Sequence, residues 1–465
     1  SVTTAVQPIK IIVPVGSLGA GARESEVQYG IEQGAHAIAT DAGSTDSGAA
    51  YLALGMSKNN RGSVQRDLEI LMSASRDAHI PLIVGTSGQA GGDKNVDWTL
   101  EIVQDVATKL GYSPRIAVLY SEIDKATLKT FNAQQKIRAL PPMGNLDDAT
   151  IDECQHIVTV MGPEPYMDAL QQGADIIIGG RTTDTAVLAC FALLKGAAPG
   201  AAWHAAKVAE CGAQCTALRN HGSGVLISID DAGFNVEPLS MKNYCNPESV
   251  SAHMLYENSD PFVLIEPGGA LDVTDSIYEQ VDDRTVRVTA SVWKPLPYTL
   301  KLEGAGGGGY QTIMLIGIQD PDVTGNPDEF HDKLLKALYK RVQQTMHDKA
   351  GDFHISLRLY GWNGVTGVFP PEGTPTPHEL GVLFVATAAS QQIATQIAKA
   401  CNPYFFHFPL VPDKELPSYG FAFSPADIER GQVFEFKLNH VLEVDDPLMF
   451  VRTKWLNSTT NSSAQ

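Results

Sequence analysis

Basic residues are scarce in this chain. Against 53 Asp and Glu stand only 34 Lys and Arg, a formal net charge of −19. An acidic surface repels phosphate backbones, and no Lys/Arg-rich cluster overrides the sign, so nucleic-acid binding is excluded. Cysteine is sparse too, with six in 465 residues, at 154, 190, 211, 215, 245 and 401. A disulfide-built scaffold is excluded, and reduced, mostly buried thiols in a cytoplasmic protein are expected. The nearest pair, Cys211 and Cys215, has helical i, i+4 spacing and not that of a zinc knuckle. Long apolar runs are missing as well. None approaches the roughly 20 residues of a bilayer-spanning helix, so no membrane span is expected.

What is present suits a large folded core, with 43% apolar and 19% charged residues. The length fits two or three domains. Apolar runs at 10–15, 35–40, 80–85, 115–120, 156–161 and 174–180 read as strands. Between them, "SVQRDLEILMSASRDA" (63–78) and "VDWTLEIVQDVATKLG" (96–111) carry apolar residues at helical spacing. Strands that are apolar throughout and separated by helices indicate a mainly parallel sheet buried on both faces. The expectation is an α/β class protein, with a three-layer α/β domain over 1–220; a closed β/α barrel fits the same repeats. Near 220 the composition shifts to short strands joined by Asn/Asp/Pro/Gly turns, so 221–455 reads as an α+β domain with antiparallel strands. Residues 456–465 lack periodicity and read as a disordered tail.

In parallel sheets the loops leaving the carboxyl ends of the strands line the ligand crevice. Each early strand runs into a polar, Gly-rich stretch, and the coincidence points to one shared site. "GSLGAGARES" offers Gly19 and Gly21, whose N–H groups suit a carboxylate or phosphate, with a plain tight turn as the alternative. Its glycine order is neither a dinucleotide fingerprint nor a Walker loop, which disfavours hydride transfer. "DAGSTDSG" supplies Asp41, Ser44, Thr45 and Asp46. Asp41 and Asp46 fit proton transfer or a divalent cation such as Mg²⁺, while Ser44 and Thr45 offer hydroxyls to a substrate. The bland reading is that Asp46 or Ser47 caps the next helix. "TSGQAGGDKN" contributes Ser87, and "YSEID" contributes Glu122 and Asp124 as a second acid/base. In "GGRTTDTA", Arg181 with Thr182 and Thr183 forms a fork and hydroxyls for a carboxylate, with an N-cap at Thr183 or Asp184 as the alternative.

Other features point less sharply. His204, Lys207, Cys211 and Cys215 share a helix face, where a packed helix is favoured over a thiol nucleophile. Gly304 and Gly306 to Gly309 suggest a mobile lid, a close approach of backbone to a ligand, or an unconstrained surface loop. Glu266, Asp272 and His440 are contributors of low specificity.

Taken together, "ATDAGSTDSG", "LIVGTSGQAGG", "YSEID", "ADIIIGGRTTDTAV", "HAAKVAECGA", "EPGGALDVTD", "YEQVDDRTVRV", "YTLKLEG" and "LNHVLEVDDP" resemble the acyclic terpene utilisation AtuA-like family, over roughly residues 8–450. That resemblance implies a place in the breakdown of branched acyclic terpenoids through CoA thioesters, and a small partner protein beside the chain. The expected function is an enzyme acting on a small carboxylic acid or its CoA thioester. It would abstract a proton next to a carbonyl, as a hydratase/dehydratase or a double-bond isomerase. Two alternatives stay open: a non-catalytic scaffold or binding subunit that needs a small partner, and a hydrolase using Cys211 or Ser44. G-x-S-x-G is missing, which counts against the hydrolase. A closed homo-oligomer is expected from base rates.

Overall fold

The computed structural model describes residues 7–256, 260–407 and 419–457. The chain divides into two compact units, 1–306 with 436–465, and 307–435.

The first unit opens with β1 (Ile9–Val13), α1 (Glu24–Glu32), β2 (Ala37–Gly43), α2 (Ala50–Leu54), α3 (Arg61–Ala78), β3 (Leu82–Gln89) and α4 (Asp93–Leu110). It continues through β4 (Ile116–Tyr120), α5 (Lys125–Ala133), β5 (Ile137–Ala139), α6 (Asp148–Glu153) and β6 (Cys154–Val160). Then follow α7 (Glu164–Gln171), β7 (Ile176–Gly179), α8 (Asp184–Leu194), α9 (Pro199–Ala209), β8 (Val225–Ile229) and β9 (Gly233–Pro238).

β1, β2, β3, β7 and β4 lie side by side and parallel. Alternate residues explain why they are apolar throughout. Ile11 and Val13 face a core built with α7, α8 and α9, whereas Ile12 faces one built with α1, α3 and α4. Each such fully buried side chain stabilises the fold by roughly 1.5–3 kcal/mol. α8, "DTAVLACFALL", is buried almost all round, as its uniformly apolar sequence requires. α3 is amphipathic instead: Asn60 caps it by accepting from the Ser63 N–H, and Val64, Leu68, Leu71 and Met72 turn inward.

Among the described residues the sheet is an open path of ten strands and does not close into a barrel. Antiparallel strands extend it at both sides: β8, β9, Val286–Thr289 and Ile277–Gln280 beyond β1, and Arg452–Leu456 beyond β4. The composition shift near 220 therefore falls inside this sheet, because β8 pairs with β1, and the chain divides at Gly306. Leu456 pairs with Ile116 in a strand and so is not part of a tail, and residues 458–465 of the expected tail lie outside the described residues. β6 leaves the parallel sheet altogether: it pairs antiparallel with Lys301–Gly306 of the strand Thr299–Ile318. Gly304 and Gly306 are thus strand residues. A Cβ on Gly306 would lie 2.2 Å from the Glu153 carbonyl, so this glycine serves the close approach of two strands, and the whole run lies in a strand and not in a surface loop.

In the second unit the later part of that strand pairs with Leu380–Ala388, which pairs with His354–Tyr360. Burial along Leu380–Ala388 alternates, as in a sheet covered on one face. The covering helix, Pro327–Met346, buries Phe330, Leu334, Leu338, Val342 and Met346 at four-residue spacing.

Candidate functional site

A cavity of about 2010 Å³ opens at the carboxyl ends of the parallel strands, within the first unit. Gly16 and Ser17 after β1, Asp41 and Gly43 of β2, Gln89 of β3 and Arg181 after β7 all line it. So do the first residues of α8 and the strand Val263–Glu266.

The loops meet because their backbones fit closely. Gly43 pairs with Gln89, and a Cβ at Gly43 would lie 2.1 Å from the Gln89 carbonyl. The end of β3 is conformationally unusual, with positive φ at Thr86 (49°) and Gln89 (82°) as well as Gly88 and Gly91. Non-glycine residues in that region mark an over-determined backbone. Here the bend brings the Thr86 Oγ1 to the Thr182 backbone: it accepts from the Thr182 N–H at 3.1 Å and donates to the Thr182 carbonyl at 3.1 Å.

Arg181 sits at the centre. Its Nε donates to Glu303 Oε1 at 2.6 Å and its Nη1 to the Thr182 carbonyl at 3.0 Å, with Asp184 Oδ1 at 3.5 Å. The fork expected for a substrate carboxylate is therefore filled by a protein carboxylate. Burial alone would lower the Arg181 pKa, but Glu303 and Asp184 raise it above its ordinary value. Glu303, desolvated but facing Arg181, lies below the usual carboxylate range.

Two acidic features face the cavity. Asp41 is buried, with Oδ1 accepting from the Ala42 N–H at 2.9 Å. Burial and the adjacent Asp184, to which it hydrogen-bonds, push its carboxyl well above the usual range. Asp184 is raised by burial, against the opposing effects of Arg181 and the Asp41 hydrogen bond. Two hydrogen-bonded carboxylates this close disfavour ionising together, although Asp184 itself is only part-buried. Glu266 is the second feature. Its Oε2 accepts from Thr185 Oγ1 at 2.8 Å, and burial pushes its pKa up to about 7, with Thr185 and Lys207 opposing and Asp184 adding.

The other expected site residues are dispersed. Asp46 and Ser44 line the cavity, Asp46 exposed and its N–H 3.3 Å from Ser44 Oγ. Neither Asp46 nor Ser47 caps a helix, since the α2 N-cap is Ala49. The Thr45 carbonyl accepts from the Gly48 N–H within the turn. Thr183 lines the cavity as the α8 N-cap without a side-chain cap bond, and Thr182 is sealed beneath it, bonded to Tyr166. Ser87 is wholly buried. The N–H groups of Gly19, Gly21 and Ala22 donate to the carboxylate of Asp67, so the loop's anion is supplied by α3. Glu122 bonds His156 Nδ1 at 2.6 Å and the Asp93 N–H, away from the cavity lining. Asp124 caps α5 by accepting from the Thr127 N–H at 2.8 Å, exposed and also off the lining.

Asp41 and Asp46 do not fall in a three-donor group; among the described residues that arrangement belongs to Glu210, Cys211 and His253. Lys301, at the cavity wall, lies 3.6 Å from Glu303 and keeps much of its side chain exposed. Lys301, Glu303 and His253 were not singled out as site residues from the sequence, whereas Glu266 was, as a contributor of low specificity.

The open sheet, with a polar cavity where its parallel strands end, makes this a mixed α/β protein with a candidate ligand cavity. Within that class, residues 57–409 match the acyclic terpene utilisation family protein AtuA, and the chain belongs to this family. Membership points to a role in metabolism and specifies no reaction. No curated protein and no solved structure matches the chain. Among the described residues no helix is long and apolar enough to cross a membrane.

Proposed function

We propose that this chain is an enzyme that moves a proton next to a carbonyl of a carboxylic acid or its CoA thioester, as a hydratase/dehydratase or a double-bond isomerase. The observation that carries the reading is the pairing, in one cavity, of Glu266, at about 7, with the hydrogen-bonded carboxyls of Asp41 and Asp184, both raised above the usual range. An acid and a base with separated pKa values are what such chemistry needs. Ionised Glu266 takes the proton from the carbon beside the carbonyl. The proton of the Asp41–Asp184 pair goes to the departing hydroxyl in dehydration, or to the far carbon in isomerisation. Lys301 is assigned the anionic end of the substrate, and Arg181, filled by Glu303, keeps Asp184 in place. The cavity, about 2010 Å³, exceeds the roughly 300–1,000 Å³ of ordinary small-ligand sites, which favours the thioester over the free acid.

The test is thermal unfolding against a panel of unsaturated and hydroxylated acids and their CoA thioesters, followed by turnover of any binder. Folded Glu266→Gln and Asp184→Asn variants should still bind and should lose turnover. Full turnover in both would end this reading.

A second reading, a binding subunit for a small partner protein, has one observation in its favour. The strand Val263–Glu266 leaves Ile265 71% exposed, next to Phe262 at 49%. Co-purification with a small protein and no turnover alone would support it.

A further inference from the structure

We propose that Glu210, Cys211 and His253 form a binding site for one zinc-class divalent ion in the cavity wall. Their donor atoms, a carboxylate oxygen, a thiol sulfur and an imidazole nitrogen, all lie within 4.8 Å of one another. Small side-chain rotations bring such atoms to the roughly 2.0–2.3 Å of zinc–ligand bonds. The donor types decide the metal class. Thiolate and imidazole select zinc and its neighbours, whereas magnesium and calcium want oxygen throughout.

The backbone holds the donors in place. Glu210 is the C-cap of α9 and Cys211 is the N-cap of the 3₁₀ turn Gly212–Cys215. Gly16, in the loop after β1, packs directly on Cys211: a Cβ there would lie 3.1 Å from the Cys211 carbonyl. Gly212 has φ +62°, and its Cβ would lie 2.8 Å from the Gly16 nitrogen. Gly212 requires glycine and Gly16 packs tightly on Cys211, which leaves the Cys211 backbone little freedom. His253 comes from the helix Pro247–Tyr256 and is buried. Lys207 Nζ donates to Glu210 Oε1 at 2.8 Å, which orients the carboxylate.

Glu210 and Cys211 also line the cavity, so an ion held by these ligands would border it. Three ligands and one open position are the arrangement of catalytic rather than structural zinc. The proposal does not depend on the proton-transfer reading, and its test reads metal directly. The same atoms also permit a thiol–imidazole nucleophile, which the test separates.

The full chain, stripped with a chelator under reducing conditions, is titrated with Co²⁺ while the thiolate-to-cobalt charge-transfer absorption is followed. One equivalent should bind with that absorption, Zn²⁺ should displace it, and Cys211→Ser should abolish it. Glu210→Gln, which leaves the thiol in place, should keep the absorption with affinity lower by more than the roughly 10–100-fold cost of losing an outer-shell partner. Absence of the band, its survival in Cys211→Ser, or unchanged affinity in Glu210→Gln overturns the proposal. So does rapid alkylation of Cys211 in a chain that binds no cobalt, which would instead favour the nucleophile.

Discussion

Arg181 and Glu303 meet across 122 residues of sequence, Nε donating to Oε1 at 2.6 Å, with both side chains buried. Removing one partner of a buried ion pair leaves the other charge uncompensated, at a cost of about 3–5 kcal/mol. Glu303→Gln and Arg181→Met should each lower the urea midpoint accordingly, and the double variant should lose less than their sum. Unchanged midpoints in both single variants would show that the pair does not hold the site together.

Asp67 collects three backbone N–H groups, those of Gly19, Gly21 and Ala22. Hydrogen bonds to a charged group are worth about 1.5–3 kcal/mol each. Asp67→Ala should cost at least about 3 kcal/mol, and Asp67→Asn, with one acceptor oxygen left, should fall between. Thermal unfolding decides it, and an Ala variant as stable as the parent would contradict the assignment.

Two glycines with positive φ make a controlled comparison. A Cβ on Gly91 (φ +71°) would lie 2.2 Å from the Arg181 nitrogen, whereas one on Gly21 (φ +112°) meets nothing within 4 Å. Gly21→Ala should cost only backbone strain, roughly 1–3 kcal/mol. Gly91→Ala should cost more and displace Arg181 as well. Equal losses by chemical denaturation would show that the close approach does not matter.

Glu266 makes stability depend on pH in a defined direction. Its pKa rises on folding from 4.5 to about 7, so the native state holds a proton that the unfolded state has released between these values. The contribution is fully present below about 4.5 and is lost as pH rises to about 7, a change of roughly 3 kcal/mol at ~1.4 kcal/mol per unit. Glu266→Gln should remove this slope, leaving the variant relatively more stable at neutral pH. Parallel stability profiles for parent and variant would place the carboxyl in water.

Local pattern carried much of this fold. The helical spacing at 63–78 and 96–111 corresponds to α3 (Arg61–Ala78) and α4 (Asp93–Leu110), and the apolar runs mark β1, β2, β3, β4 and β7 within a few residues. Pairing was not legible. The run at 156–161 looks like its neighbours, yet β6 pairs with Lys301–Gly306, because periodicity reports burial and not the partner strand. The same limit moved the unit boundary, since nothing local says that β8 returns to β1.

The site divides in the same way. Residues at strand ends were visible, and Asp41, Asp46, Ser44, Arg181 and Thr183 do line the cavity. The groups that occupy or tune them come from far along the chain. Asp67 sits mid-helix in α3, Glu303 lies on a strand 122 residues past Arg181, and His253 joins Glu210 and Cys211 from another helix. Such long-range neutralisation leaves no trace in spacing. It decides which polar residue stays available to a ligand.

The most direct measurement is deuterium incorporation. The panel acids and CoA thioesters would be incubated in D₂O with the parent chain and with Glu266→Gln, and exchange at the carbon beside the carbonyl followed by NMR. The account predicts exchange in at least one thioester, slowed about 10²–10⁴-fold in the variant, the usual worth of a positioned acid or base. Exchange at the same rate in Glu266→Gln, or none in any compound that binds, would contradict it.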